Sequence, residues 1–385
     1  MTDKKQILFV NDEMRMGGVA RVLNTLMANL PKDKYDIDLL ILHKEGMLLK
    51  EIPEHVHVIE GSDFFKSVDQ SLELLWQEKD MKGIAGKIRL LAYMKTGAII
   101  SKIKRERKKI LHKQYDVEVA AKEGFCTIFT AYGDSRRKIN WVLTDYSVCN
   151  YSKNHMPLVK KALEHIDLNI ADSEKALIAY ETVFHVSNGI TIHNLMDIDK
   201  IKKNLELDDG SEINGTDGPN VITVARFHPQ KSIDRLLIAS HETYLAGNHH
   251  TLYLIGGGEE EEKLRAMVRD LGMNNVVFLG YKQNPYADMA KADLYVSSSL
   301  YEGFATVISE SLIVGTPVLA TEVSGAREQI TNPDYGWVVE NTQKGLTEGM
   351  KTALCSIGDL KDKKHYLKDY RYPNEEILKQ FMEVL

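Results

Sequence analysis

The stretch from Ser297 to Thr321, SSSLYEGFATVISESLIVGTPVLAT, concentrates the residues best suited to chemistry. Its pattern predicts a strand end, a tight loop carrying Glu302 and Gly303, a helix opening near Thr306 and a strand over 317–320. Glu302 falls in the loop, and Glu310 follows eight positions later on the first turns of the helix. Backbone amides of the loop and helix start can face an anion there, helped by the positive helix end. Carboxylates do not hold phosphate, but they suit neutral hydroxyls. Amides beside two acids therefore fit a ligand with both phosphate and sugar. The plainer alternative is an ordinary α/β turn with two solvated glutamates.

Such residues need a scaffold, and the rest of the chain predicts one. Gln6 to Asn11 is a short apolar run without alternation, as a strand buried on both faces requires. In NDEMRMGGVARVLNTLMANL, Gly17 and Gly18 form a turn, and Val19, Val22, Leu23, Leu26, Met27 and Leu30 recur at helical spacing. Strand, glycine loop and helix open a doubly wound domain. No third glycine follows at the offset of the dinucleotide fingerprint, which disfavours an NAD enzyme. Further strands are expected at 36–42, 56–59, 116–121, 139–143, 168–171 and 190–192, with helices between most of them, including 174–184 capped by Ser173. The polar stretch Leu207 to Asn220 reads as a surface connection. After it the alternation restarts, with strands at 221–225, 252–255, 276–279, 294–297, 317–320 and 337–339 and helices at 232–241 and 259–271. The fold expected is α/β, with two doubly wound domains over 1–193 and 194–373. A last helical segment, 374–385, is placed to pack back on the first.

Composition narrows the class. The chain has 385 residues, enough for two domains with separate cores, and its 43% hydrophobic and 27% charged residues are those of a soluble globular enzyme. A net charge of −6 makes no whole-chain case for nucleic acid. Cys126, Cys149 and Cys355 lack paired spacing, which reads as a reducing compartment and no metal site. The start MTDKKQILFVNDE, apolar only from Ile7 to Val10, is not expected to act as a signal peptide, and no apolar run approaches membrane-spanning length. A cytoplasmic protein is expected.

The interval 82–113 breaks the pattern. It holds eight Lys and three Arg against one acid, Glu106, and Ile84, Ile88, Leu91, Ile99, Ile103 and Ile110 follow a helical period. A basic helical surface with an apolar face suits an anionic membrane, with Lys102, Lys104, Arg105, Arg107, Lys108 and Lys109 as the contacts. The alternative is a helix whose apolar face packs in the domain and whose charges are solvated. No aromatics are interleaved for stacking on nucleic acid.

Five groups of residues together resemble the GT-B glycosyltransferases, specifically the large retaining family 4. They are Gly17-Gly18; Val224-Ala225-Arg226 followed by Lys231; Gly256-Gly257-Gly258 before an acidic helix start; Val277-Phe278-Leu279-Gly280-Tyr281; and Glu302-Gly303-Phe304 through Glu310. The resemblance covers nearly all of the second domain and the start of the first. It implies two Rossmann-like domains facing a central cleft, and a nucleotide-sugar donor, UDP by preference. Arg226 and Lys231 would then converge on the diphosphate and stabilise the departing charge, and Glu302 would lie close to the donor sugar. Glu310 would accept from the ribose hydroxyls, while the backbone of Gly303, Phe304, Ala305, Thr306 and Val307 would cradle the distal phosphate and sugar. Gly17, Gly18 and Gly257 would allow close approach, and Tyr281 and Lys282 would hold the base, largely through backbone atoms. With fixed cations in that role no metal or other cofactor is expected, and the Asp36-Asp38 and Asp197-Asp199 pairs read as structural.

Two departures bear on mechanism. Relatives acting on envelope glycans often carry a His in a Trp-hydrophobic-His-x-Asp stretch, and here Leu143 stands in its place within Trp141 to Tyr146. Asp145 or Glu13 could act in its stead, with a buried structural role the alternative for the Asp, and His193 and His165 are candidates only by type. The proline common after the Asn of Asn194-Leu195-Met196-Asp197 is also missing. The function expected is transfer of a sugar to a lipid-linked or membrane-held glycan acceptor in envelope polysaccharide synthesis, on the inner face of the membrane. The rivals are a GT-B-fold sugar-nucleotide epimerase and a non-catalytic, glycan-binding or enzyme-stabilising partner.

Overall fold

The computed structural model describes residues 4–15, 17–68, 70–148, 156–207, 211–214 and 218–385. Cys149, and residues 208–210 and 215–217 of the connecting stretch, lie outside the described residues. The chain divides into two compact units, Met1–Leu195 with Asn374–Leu385, and Met196–Pro373.

The first unit is built on a seven-stranded parallel sheet. Its strands are β1 (Lys5–Asn11), β2 (Tyr35–Ile41), β3 (His57–Glu60), β4 (Val117–Ala120), β5 (Arg137–Val142), β6 (Leu168–Ala171) and β7 (Gly189–Thr191). They lie in the order β3-β2-β1-β4-β5-β6-β7. The run Ile7 to Val10 is fully buried, as a strand covered by helices on both faces must be. The helix Gly18–Asn29 buries Val22, Leu23, Leu26 and Met27 against the sheet. Ser173 accepts from the Ala176 N–H and caps the helix Glu174–Phe184. The last helix, Asn374–Val384, belongs to this unit and sets Phe381 edge-on against Trp141 at 5.2 Å.

The second unit carries six parallel strands, β8 (Asn220–Val224), β9 (Thr251–Ile255), β10 (Val276–Gly280), β11 (Leu294–Ser297), β12 (Val318–Thr321) and β13 (Gly336–Val339). Their order is β10-β9-β8-β11-β12-β13. Its core joins Val221, Leu252, Leu254, Leu294, Val296 and Leu319 of the sheet to Leu236 and Leu237 of the helix Ile233–Leu245. Each such side chain contributes ~1.5–3 kcal/mol when fully buried. The helix Gln343–Leu354, which the sequence reading did not anticipate, packs on the same face through Leu346 and Met350. The described part of the connecting stretch is tied down to this unit: Glu212 donates its N–H to Asp288 at 3.1 Å, and Ile213 is buried.

The basic interval corrects the sequence reading. It is two helices, Met81–Thr96 and Ile99–Ile110, separated at Gly97, which adopts a left-handed φ of 73°. Ile99 and Ile103 lie in the domain core, so the apolar face of the second helix is occupied by protein. Arg107 is not a membrane contact. It is only 6% exposed, pairs with Glu118 at 2.7 Å and lies over the Phe129 ring. A guanidinium there must be paired, because an isolated buried charge is costly. Glu106, also buried, takes Lys102 at 2.7 Å and Lys109 at 2.8 Å on the same oxygen. Burial alone would push its carboxyl up, but the hydrogen bonds from the two lysines outweigh it and hold it at about 2. Lys104, Arg105 and Lys108 are exposed, whereas Ile88, expected on the buried stripe, faces outward. Among the described residues, no helix is long and apolar enough to cross a membrane.

Candidate active site

The order of the second sheet reverses between β8 and β11, and in open α/β sheets ligands bind outside the carboxyl ends of strands at such a point. The residues singled out in the second half of the chain fall on the loops leaving these strands. After β8 comes Arg226, exposed and without an ion pair among the described residues, then the short turn Pro229–Lys231. Ser232 follows with φ 48°, a left-handed conformation uncommon for a non-glycine residue, and turns the chain into the helix Ile233–Leu245. Its place aims Lys231 across the switch point, where the ammonium pairs with Glu302 from the loop after β11.

Glu302 is nearly buried and fully engaged. Ser299 Oγ donates to the same Oε1 at 2.6 Å, and Gln230 Nε2 reaches Oε2 at 3.4 Å and the Tyr301 carbonyl at 2.9 Å. Ser298 Oγ donates to the Lys231 carbonyl at 2.8 Å, and the Leu300 N–H to the Gln230 carbonyl, also at 2.8 Å. These bonds lock the two loops to one another. Ser299 and Gln230 were missed in the sequence; the run Ser297-Ser298-Ser299 at a strand end was the available signal.

The loop then enters the helix Thr306–Ile313 at Ala305, which supplies no side-chain cap. Thr306 and Val307 form its half-buried first turn, while the Ser309 N–H is taken by Gln329 at 3.1 Å. Gly303 and Phe304 are buried beneath Gly325, whose φ is +75° and where an added Cβ would lie 2.8 Å from the Phe304 ring. Glu310 is buried on the helix, and Tyr286 Oη donates to it at 3.4 Å. Tyr295 of β11 is held well above the usual phenol range, first by burial and then by the charges of Glu302 and Glu310. The two carboxylates thus act on one region from opposite ends of the strand–loop–helix segment.

On the far side of the switch, the loop after β9 is Gly256–Gly258. Gly256 has φ 141°, and a Cβ there would meet the Ala225 carbonyl at 1.8 Å. Gly257 differs, since a Cβ there meets only the tip of Glu261 at 3.5 Å. Tyr281, after β10, is 61% exposed. Lys282 turns its side chain away to Asp288 at 2.7 Å and Glu212 at 3.2 Å. Burial opposes its charge, but these partners prevail and raise its pKa. Its side chain is thereby tied to carboxylates of its own unit.

The first-unit candidates are separate. Gly17 is extended and Gly18 opens a helix; a Cβ at either would meet nothing within 4 Å, so the fold does not demand glycine at these positions. Asp145 is buried, and its Oδ1 accepts from the Ser147 N–H at 2.8 Å and hydroxyl at 2.6 Å. That is a turn-closing role. Leu143 donates its N–H to Glu123 at 3.1 Å, so a buried acid stands at this strand end. Of the DxD pairs, Asp36 and Asp38 are held by Lys113, Asp38 also accepts from Tyr115, and Asp197 caps the helix Ile198–Glu206.

Comparison with known proteins follows this geometry. The family model for glycosyl transferases group 1 matches residues 206–369, nearly the whole second unit. The Campylobacter jejuni enzyme N-acetylgalactosamine-N,N'-diacetylbacillosaminyl-diphospho-undecaprenol 4-alpha-N-acetylgalactosaminyltransferase is 35% identical over 106 residues, 27% of this chain and 29% of its own length. The chain therefore spans under a third of that relative. Staphylococcus aureus TarM, crystallised with fondaparinux, alpha-GlcNAc-glycerol and UDP, superposes with a TM-score of 0.71 at 14% identity over 99% of both chains. Anabaena HepE in complex with UDP gives 0.67 at 18% identity over 98% of both. The architecture is that of the GT-B glycosyltransferases, with the group 1 match lying over the unit that holds the candidate site.

Proposed function

We propose that the chain is a retaining, metal-independent glycosyltransferase that moves a hexose-type sugar from UDP to a lipid-linked or membrane-held glycan acceptor in cell-envelope polysaccharide synthesis. The observation that carries this reading is the Lys231–Glu302 pair at the switch point of the second sheet, beside Arg226, which has no ion pair among the described residues. A diphosphate arriving there meets two cations and the positive end of the helix Thr306–Ile313. Glu310 accepts from the ribose hydroxyls, and Glu302 from a hydroxyl of the donor sugar. Tyr281 and the backbone of Lys282 flank the base, and Gly257 in its loop, with Gly17 and Gly18 of the first unit, are positions where a ligand can approach backbone. The names of relatives support the chemistry: one acts on a diphospho-undecaprenol glycan and two are crystallised with UDP.

In the reaction, the sugar C1–O bond to the diphosphate breaks as the acceptor oxygen bonds to C1 on the same face. The acceptor proton passes to the leaving phosphate oxygen. No protein base is required for that step, which agrees with Leu143 in place of a histidine and with Asp145 closing its own turn. The protein supplies position and fixed charge.

A panel of nucleotide sugars scored by thermal shift tests the donor, and product analysis with membrane extract as acceptor, with and without chelator, tests transfer. UDP-sugars should raise the melting temperature, and transfer should survive the chelator. Stabilisation without turnover would identify a non-catalytic partner, epimerised UDP-sugar without acceptor would identify an epimerase, and loss of activity with chelator would overturn metal independence.

A further inference from the structure

We infer that His228 is a positioning residue for the donor-site lysine: its ring and its carbonyl fix the turn that carries Lys231, and its second ring nitrogen faces the loop after β9. The inference rests on the proposed function for the task that Lys231 performs. The contacts of His228 do not, so the two can fail separately.

The turn Pro229–Lys231 is three residues long, too short for helical hydrogen bonds to hold it unaided. Pro229 brings no N–H, so the first amide in need of an acceptor is that of Gln230. His228 supplies the acceptor, since its Nδ1 takes the Gln230 N–H at 3.2 Å. The His228 carbonyl takes the Lys231 N–H at 2.9 Å, so one residue holds both amides of the turn. The carbonyls of Gln230 and Lys231 go instead to the loop after β11, where the Leu300 N–H and Ser298 Oγ donate to them at 2.8 Å each. Without the ring acceptor the turn would be tied chiefly from the β11 side. Gln230 also carries the amide that reaches the Tyr301 carbonyl and Glu302, so the residue that His228 caps in turn supports the partner of Lys231.

An Nδ1 that accepts an N–H bears no proton, so the neutral ring carries its proton on Nε2. Nε2 stands 3.6 Å from Glu259 Oε1, immediately after the run Gly256–Gly258. His228 therefore lies between the loop that bears Lys231 and the loop in which Gly257 has room for a ligand to approach backbone. Aspartate would cap such a turn as well. A neutral imidazole does so without adding negative charge where a diphosphate is to bind.

Binding of UDP and of uridine to the full chain, beside kinetics on a UDP-sugar, tests this. His228→Ala deletes the ring acceptor and should weaken UDP binding and lower kcat/KM about fivefold or more, the scale of a lost cap. Uridine, which has no phosphate for Lys231, should bind within about twofold of wild type. His228→Asn sets a side-chain oxygen at the cap and should recover most of the loss. In NMR of wild type with isotope-labelled histidines, the imidazole signal that disappears in His228→Asn should be that of the Nε2–H tautomer. Melting curves show which variants fold, and the tautomer is read in wild type whether or not His228→Ala does. Equal UDP affinity in wild type and His228→Ala, equal losses for UDP and uridine, no recovery in His228→Asn, or a proton on Nδ1 would each overturn the inference. A wild type that bound no UDP would sink the donor reading, a result that none of the other outcomes produces, and the task given to Lys231 with it.

Discussion

Lys231 and Glu302, 71 positions apart, form an ion pair across the strand-order reversal of the second sheet, one after β8 and the other after β11. The pair holds the part-buried ammonium at the strand ends and keeps the nearly buried carboxylate compensated. On the proposed function, an arriving diphosphate would compete with Glu302 for that ammonium. Ser299 and Gln230 donate to the same carboxylate, so Glu302 would not be left unsatisfied if the ammonium turned to a phosphate.

Lys231→Ala should therefore lower kcat/KM for a UDP-sugar by ~10²–10³, the usual loss when a charge stabilising the transition state is removed. The melting temperature without ligand should fall by only a few degrees, because Ser299 and Gln230 remain on Glu302. Steady-state kinetics beside a melting curve checks both, and wild-type turnover in this variant would remove the lysine from the chemistry.

Glu310→Ala should abolish the rise in melting temperature that UDP gives wild type. Ligand at a hundredfold excess over Kd adds ~2.7 kcal/mol to the folded state, and losing the ribose contact removes most of that. Tyr286→Phe, which deletes the 3.4 Å bond to Glu310, should weaken the shift without abolishing it. A full UDP shift in Glu310→Ala would place the ribose elsewhere.

Acid should uncouple Glu106 from its lysines. Its folded pKa of about 2 lies below the ordinary 4.5, so its contribution is complete above pH 4.5 and is lost as pH falls through about 2. Urea midpoints of wild type and Glu106→Gln, taken from pH 6 down to 2.5, should converge across that window. A gap that stays constant would mean that Lys102 and Lys109 do not stabilise the carboxylate.

The glycine run offers a contrast between neighbours. Gly256→Ala forces a Cβ to 1.8 Å from the Ala225 carbonyl at a φ that L-residues rarely adopt, so it should destabilise the second unit by several kcal/mol. Gly257→Ala meets only a flexible glutamate tip, so it should melt like wild type while weakening the UDP shift. Equal melting losses in the two would contradict the geometry.

Much of the scaffold was legible in the chain. Continuous apolar runs such as Ile7 to Val10 fit strands covered on both faces, and Ser173 announces the helix it caps. The segment around Glu302 and Glu310 was readable for the same reason, since a strand end, a glycine and a helix start are local features. What misled was the basic interval. Its charge excess is real, but the sequence does not say which lysines and arginines face water, and Arg107 lies inside against Glu118 and Phe129.

The sequence by itself determined two α/β units, the strands and helices that build them, and the residue types at the strand ends, because hydrophobic periodicity and capping act over a few residues. Only the tertiary structure decided that Lys231 meets Glu302, that Ser299, Gln230 and Tyr286 support the two acids, and that Lys102 and Lys109 share one oxygen of Glu106. Those contacts depend on strand order and helix packing. They join positions that no local pattern links, and a buried charge takes the partner that packing brings within reach.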